Sequence, residues 1–555
     1  MKFTPRLLAA SALLMLLSAC GGGGGDGGTT AVPPADPTPP VVTPPVTPPV
    51  TPPVIPPVTT PETPPVIPPV IPPEPPPVTP PVTPPVTPPV TPPETTPEAP
   101  PKDWISLLAS CEHPRPGLSP NGLPYYDRQG TLKDELTVLY GFIDESYLWY
   151  RELPKLNMAN FTRPVDYFAA MKTSALTASG RAKDRFHFTY PSDVWEAMSG
   201  AGVELGYGLT WSRSSNANVP RVWAVTLVEP NSPASAAGLL RGDLLRSIDG
   251  VDIGDTSAAG IAVLNAGLSP AKAGETHKMV LARGGQSIAV SLTAAKLSLA
   301  PVRNVKVLDT AGGKVGYLQF DDHNAVSERP LADAVSTLKA AGVKDLVLDM
   351  RYNGGGYLNI ASELAYMIAG PAATNGKVFE RTLYNDKTEP QAPLMFLSTA
   401  TGFTPAQIPK GTVLPYLGLK RVTVLTTAGT CSASEAVINS LRGVDVEVNL
   451  IGGETCGKPY AFVPLPNCGT TYFSIQMQGV NNKDFGDYAD GFQPTCNVAD
   501  DLTRPMGDVT EGVLAAALSH LANGVCPVSP MRNRSEAGAM RLVRPEVKEI
   551  SIRSR

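Results

Sequence analysis

Beyond residue 300, short runs of aliphatic and β-branched residues alternate with segments whose apolar positions recur every three or four residues. The runs 315–320 (VGYLQF), 345–350 (DLVLDM), 421–427 (RVTVLTT) and 446–451 (VEVNLI) read as strands. Segments 331–341, 360–368, 434–442 and 509–521 carry helical spacing. Strand and helix in alternation predict an α/β core over 300–527. Upstream, over 103–198, the spacing is helical throughout. Leu132, Leu136, Leu139, Tyr140, Phe142 and Ile143 share one face, and 165–176 repeats the pattern. Over 199–299 the apolar runs shorten to 223–225, 244–248, 278–281 and 288–292, broken by Gly, Asn and Pro. That predicts a β-rich module with one short helix.

The first hundred residues carry no such periodicity. Most of the 62 prolines lie there, in PPV-T and PPV-I units. Proline fixes φ and removes a donor, so 21–102 is expected to be a disordered linker with polyproline II character. At ~3.1 Å per residue its proline-repeat part, 32–101, reaches roughly 200 Å. Residues 1–20 have a basic start (Lys2, Arg6), an apolar run over 7–17 and the ending LSAC, the layout of a secretory signal peptide. The last stretch, 528–555, is arginine-rich and is expected to be a mobile tail.

Composition narrows the function classes. A net charge of -5 over 555 residues gives no sign of a nucleic-acid partner. No His or Cys spacing resembles a zinc site, and no cofactor is implied. Of 7 cysteines one lies in the export signal, which leaves six for pairing in an oxidising compartment.

Two turns carry candidate chemistry. Ser432 falls between the strand 421–427 and the helix 434–442, where a hydroxyl is exposed near unpaired helix N–H groups. Such a serine suits nucleophilic catalysis if a base takes its proton. Lys458 lies just past the end of the next strand, and a parallel strand–helix–strand unit brings neighbouring strand ends together. A lysine acts as a base only when neutral, which burial favours by lowering the ordinary value of ~10.4 toward ~7–8. Between 345–350 and 360–368, Asn353-Gly354-Gly355-Gly356 lets backbone N–H groups approach a developing oxyanion. His187 is a rival base, with a buried structural role the blander reading. Cys431 is a rival nucleophile.

In the β-rich module, Gly206-Tyr207-Gly208-Leu209 is a loop whose N–H groups suit a carboxylate. With SPASAAGL (232–239), GDLL (242–245) and IDG (248–250) it resembles a PDZ domain closely. Such domains bind chain ends by adding them as a strand to a sheet edge.

Taken with DLVLDMRYNGGG (345–356), GTCSASE (429–435) and GETCGKP (453–459), the chain resembles the carboxyl-terminal processing, or tail-specific, serine peptidases over roughly 132–521. The resemblance implies a multidomain protein: a crotonase-like α/β peptidase core, an inserted PDZ domain and a small N-terminal helical domain. It implies a Ser/Lys dyad with Ser432 as nucleophile and Lys458 as base. The oxyanion hole is implied to be the N–H of Ala433 with that of Gly354 or Gly355. The implied function is endopeptidase cleavage of envelope proteins, with peptide captured by the PDZ domain. The alternative is an inactive relative that only binds peptide. LSAC followed by GGGGG resembles a bacterial lipoprotein signal, which implies a lipid on Cys20, a membrane-anchored body and, with Gly21 next, the outer membrane or periplasmic face.

The sequence departs from the family in three places. Phe462 stands where many members have a glutamine that orients the lysine. An acidic residue near the end of the helix after the serine, present in some members, has no clear match, and Asp445 is only a candidate. The Ser-to-Lys interval is one residue longer, which a looser turn near Val444 absorbs. Cysteines precede both catalytic candidates, so we expect Cys431–Cys456, together with Cys468–Cys496 and Cys111–Cys526, out of 15 connectivities.

Overall fold

The computed structural model describes residues 103–119, 122–214, 221–526 and 540–543. The expected signal peptide with Cys20, the linker 21–102 and most of the tail lie outside them. Among the described residues no helix is long and apolar enough to cross a membrane.

The core is a six-stranded sheet in the order Val302–Thr310, Gly313–Phe320, Asp345–Asp349, Arg421–Thr426, Glu447–Gly452, Cys496–Asn497. The first pair is antiparallel and the rest are parallel. The pleat sorts the apolar runs onto two faces. Leu318, Phe320, Leu346, Leu348, Val422 and Val424 point at the helices Glu328–Ala341, Leu358–Ala369 and Ala433–Gly443. Val315, Tyr317, Val347, Leu425 and Ile451 point at the helix Gly512–Asn523. Both faces are covered, which is why the runs read as nearly continuous apolar stretches.

The helix Leu132–Ser146 starts at a capping box: Thr131 Oγ1 accepts from Asp134 N at 3.2 Å, and Asp134 Oδ2 accepts from Thr131 N at 2.8 Å. The expected helix over 165–176 is shorter, Pro164–Ala170. The apolar cluster of this region takes in Tyr460, Leu465, Tyr472 and Ile475, so it shares its core with the C-terminal part of the chain. The strand Phe188–Pro191 adds directly to Thr470–Phe473.

In the β-rich module the strands run Gln286–Thr293, Thr276–Arg283, Leu244–Ile248, Trp223–Val228, Leu209–Ser214 and Met540–Val543. It holds two helices where one was expected, Pro233–Ala236 and Ala258–Leu268. The first is capped by Ser232, whose Oγ accepts from Ser235 N at 3.1 Å. Part of the stretch expected to be a mobile tail, Met540–Val543, is thus a strand of this sheet.

The disulfides correct two expected pairs. Cys431–Cys456 is present, with Cα atoms 5.2 Å apart, but the others are Cys111–Cys468 and Cys496–Cys526. Ala109 N donates to Asn467 Oδ1 at 2.8 Å, which sets Cys111 against the hairpin carrying Cys468. Cys496 lies on the edge strand beside Glu447–Gly452, on the side covered by the helix that leads to Cys526.

Candidate active site

Ser432 stands where the strand Arg421–Thr426 gives way to the helix Ala433–Gly443, at φ +55°. A serine in that region is strained, by about 1–3 kcal/mol, and strain of this kind concentrates at functional turns. The surroundings hold it there. Cys431 N donates to Asn353 O at 3.0 Å, Ser434 Oγ donates to the same oxygen at 3.1 Å, and Thr430 Oγ1 donates to Met350 O at 2.9 Å. The serine turn therefore hangs on the glycine turn.

That glycine turn is closely packed against the serine. A Cβ on Gly355, itself at φ +98°, would stand 2.7 Å from Ser432 Cβ. Asn353 Oδ1 accepts from Gly355 N at 2.9 Å and lies 2.9 Å from His323 Nδ1. His323 is fully buried, and burial pulls its imidazole down to about 3, partly opposed by the Asn353 bond, so the ring is neutral. The Gly355 amide is thereby occupied, whereas the Gly354 amide donates to no protein acceptor among the described residues.

A single carboxylate joins the serine turn to the lysine turn. Glu435 Oε2 accepts from Ser432 N at 3.0 Å and Lys458 N at 2.8 Å. Its Oε1 accepts from Gly457 N at 2.8 Å and Thr455 Oγ1 at 2.5 Å. Two amides bonded to one oxygen put the Ser432 and Lys458 backbones within about 6 Å of each other. Cys431–Cys456 and the bond from Cys456 N to Thr430 O, at 3.0 Å, tie the same two turns. Glu435 is fully buried; burial raises its carboxyl above the ordinary range, and these bonds only partly offset it.

Lys458 is 8 % exposed. Its Nζ lies 4.1 Å from the Phe462 ring centre and 5.3 Å from that of Phe186. The position expected to orient the lysine is thus an aromatic face. Asp445 is exposed, pairs with Lys483 and stands at φ +63° in the turn after the helix Ala433–Gly443. His187 is confined elsewhere. Its Nε2 is 2.8 Å from Phe168 O, its Nδ1 3.5 Å from Asp184 Oδ2, and its ring stacks on Phe168. Cys431 is consumed by its disulfide. Two groups of metal-ligand atoms lie close together, Cys431/Glu435/Cys456 and Cys496/His520/Cys526, but in each the two sulfurs are bonded to one another.

Sequence reasoning missed Arg185, Phe186, His323 and the role of Glu435. Arg185 donates to Cys456 O at 3.1 Å and Ala489 O at 2.9 Å, bracing the lysine turn from the N-terminal region. Nothing local in the sequence signals a partner more than 270 residues away. For Glu435 a signal existed: a Ser/Glu pair opening a helix predicts one of its four bonds.

In the β-rich module, Gly206 ends one strand and Leu209 begins the next, with Gly208 at φ +79° against Ser232. Tyr207 is buried and its carbonyl accepts from Ala234 N at 3.0 Å. The glycine loop is therefore pinned to the start of the capped helix.

Comparison with known proteins bears on the core and on the β-rich module. The model of peptidase family S41 matches residues 314–498, and that of the PDZ domain matches 224–263. The chain is 26% identical over 270 residues to carboxyl-terminal-processing peptidase 2, chloroplastic, of Arabidopsis thaliana, covering 47% of this chain and 50% of that one. It is 31% identical over 182 residues to the carboxyl-terminal-processing protease of Picosynechococcus sp., covering 30% and 39%. The chain thus spans half or less of these curated relatives. The crystal structure of a putative S41 protease from Bacteroides fragilis superposes with a TM-score of 0.53 at 26% identity, covering 70% of this chain and 97% of that one.

Proposed function

We propose, for a chain that belongs to the PDZ-bearing carboxyl-terminal processing peptidases, that it is a serine endopeptidase working through Ser432 and Lys458. Neutral Lys458 takes the proton of Ser432 Oγ as that oxygen attacks a backbone carbonyl. The N–H groups of Ala433 and Gly354 receive the oxyanion. Lys458 then gives the proton to the departing amine, and water, activated by the same lysine, releases the acyl-enzyme. The observation that carries this reading is the Glu435 carboxylate bonded to both turns, which starts both side chains from neighbouring backbone positions.

The PDZ domain, with Gly206, Tyr207, Gly208 and Leu209, captures an extended or C-terminal segment of a protein substrate. We read this domain as inserted into a crotonase-like core, since the strand before it, Phe188–Pro191, pairs with Thr470–Phe473 after it. A lipid on Cys20 would anchor the body in the cell envelope, on the outer-membrane or periplasmic side, with envelope proteins as substrates.

The test is cleavage of an unfolded protein by the purified chain. Ser432→Ala and Lys458→Ala are expected to abolish it, and His187→Ala to retain it. A wild-type chain that cuts nothing, or no faster than Ser432→Ala, refutes the reading. That outcome would favour the second one, a peptide-binding lipoprotein without chemistry, for which the aromatic ring at 462 is the specific support.

A further inference from the structure

The PDZ sheet ends in the strand Leu209–Ser214, which follows the Gly206–Gly208 loop. Its inner side pairs with Trp223–Val228. Its outer side is the edge on which a captured chain end would lie, and that edge is occupied. Met540–Val543 pairs with it antiparallel, with Met540 opposite Ser214, Arg541 opposite Arg213, Leu542 opposite Ser212 and Val543 opposite Trp211.

The direction matters as much as the contact. From Met540 to Val543 the segment advances from Ser214 toward Trp211, so its C-terminal end heads for Leu209 and the glycine loop. A chain end added to this edge with its carboxylate in that loop would run the same way. The occupant differs in one respect: residues 544–555 follow it, so it is an internal segment and not a terminus. It is also tethered. Cys526, a short connection upstream, is bonded to Cys496 on the central sheet. A tethered segment meets its site at an effective concentration in the millimolar range, which a free peptide must exceed.

We propose that residues 540–543 are an intramolecular pseudo-ligand: the chain's own tail holds the PDZ docking edge, and an incoming chain end binds only by displacing it. This rests on the reading of that edge as the peptide-capture site, and not on the chemistry at Ser432.

The test uses the full chain carrying Ser432→Ala, so that no peptide is cut and the result is independent of catalysis. A second version adds Arg541→Pro and Leu542→Pro. Hydrogen-bonded and non-bonded positions alternate along an antiparallel pair, so two adjacent prolines remove at least one N–H from the ladder. Two fluorescein-labelled peptides are titrated by anisotropy: residues 535–555 of this chain, and an unrelated peptide with a free C-terminal valine. Both are expected to bind the proline version at least about tenfold more tightly than the native-tail version. Hydrogen exchange should show the amides of 209–214 protected by the native tail and exposed in the proline version, with 313–320 and 421–426 unchanged.

Equal binding by the two versions, or exchange at 209–214 indifferent to the prolines, overturns the proposal. Binding of the valine peptide but not the tail peptide by the proline version overturns it while leaving PDZ capture intact. Binding of neither peptide by either version removes the capture reading and the proposal with it, whatever the peptidase assay shows.

Discussion

The two strand-to-helix turns that pack against each other, one carrying the glycines and one carrying Ser432, are held by different physics. The glycine turn sits on an ionic hub. Arg351, fully buried, donates to Asp349 at 3.0 and 2.7 Å, to Asp500 at 2.9 Å and to Glu511 at 2.9 Å. Tyr317 adds a bond to Asp349 at 2.6 Å, and Tyr352 one to Asp500. Burial would raise the Asp500 carboxyl, but Arg241 and Arg351 outweigh it and hold it below its ordinary range. The serine turn is tied to the lysine turn instead through one carboxyl side chain. Glu435 is surrounded by three backbone amides and a threonine hydroxyl, and a disulfide supplies the rest. An ionic hub in a dry interior is all-or-none, since removing one partner strands a charge. A hub of hydrogen bonds to backbone amides, backed by a covalent link, loosens in steps. The first turn should fail by unfolding and the second by loss of rate.

Replacing Arg351 tests the first half. Arg351→Met leaves Asp349 and Glu511 buried without their cation and should cost about 3–5 kcal/mol in urea unfolding. Arg351→Lys, which keeps the charge and loses the fork, should cost less. If Arg351→Met loses under about 1 kcal/mol, the ionic account of the glycine turn is wrong.

Breaking the Cys431–Cys456 link comes next. With 25 residues between the sulfurs, Cys431→Ser with Cys456→Ser should lower stability by about 3 kcal/mol, since the link constrains the unfolded chain. The native backbone bonds across the turns remain, so peptidase activity should fall without vanishing.

Glu435→Gln is gentler on the fold and sharper on rate. The amide turns one acceptor into a donor facing N–H groups, at about 1–3 kcal/mol. Because it disturbs the positioning of both turns, kcat should drop at least about tenfold with KM little changed. A variant that loses stability but keeps its kcat would show the carboxylate to be only a structural cap.

The smallest effect is a pH dependence outside both hubs. Glu380 is 6 % exposed, and burial pushes its carboxyl up to about 8. A carboxyl raised above its unfolded value binds its proton in the native state first, so stability is greatest below the unfolded value and falls as pH rises toward 8. Thermal unfolding should show about 1 kcal/mol lost between pH 7 and 8.5, and Glu380→Gln should flatten the slope.

What the sequence made legible was whatever depends on neighbours along the chain. Continuous apolar, β-branched runs marked the central strands, and the parallel strand–helix–strand grammar placed Ser432 and Lys458 on adjacent turns. The helix Ala258–Leu268 escaped because Ala and Gly fill much of it, leaving no sharp apolar stripe. Disulfide partners escaped because Cys111 and Cys468 are 357 residues apart, a distance closed only by tertiary packing. Arg185 escaped for the same reason, as did the strand at 540–543, which contributes no pattern of its own and borrows an edge from another domain.

One consequence follows from how closely Gly355 approaches Ser432. No gap is left between the two turns: a methyl group at position 355 would stand 2.7 Å from Ser432 Cβ and 2.8 Å from both Ala433 N and Cys431 O, on a backbone at φ +98°. Gly355→Ala would therefore act as a wedge, pushing the serine turn off its neighbour. Hydrogen at that one carbon, in place of a side chain, is what lets the two turns touch.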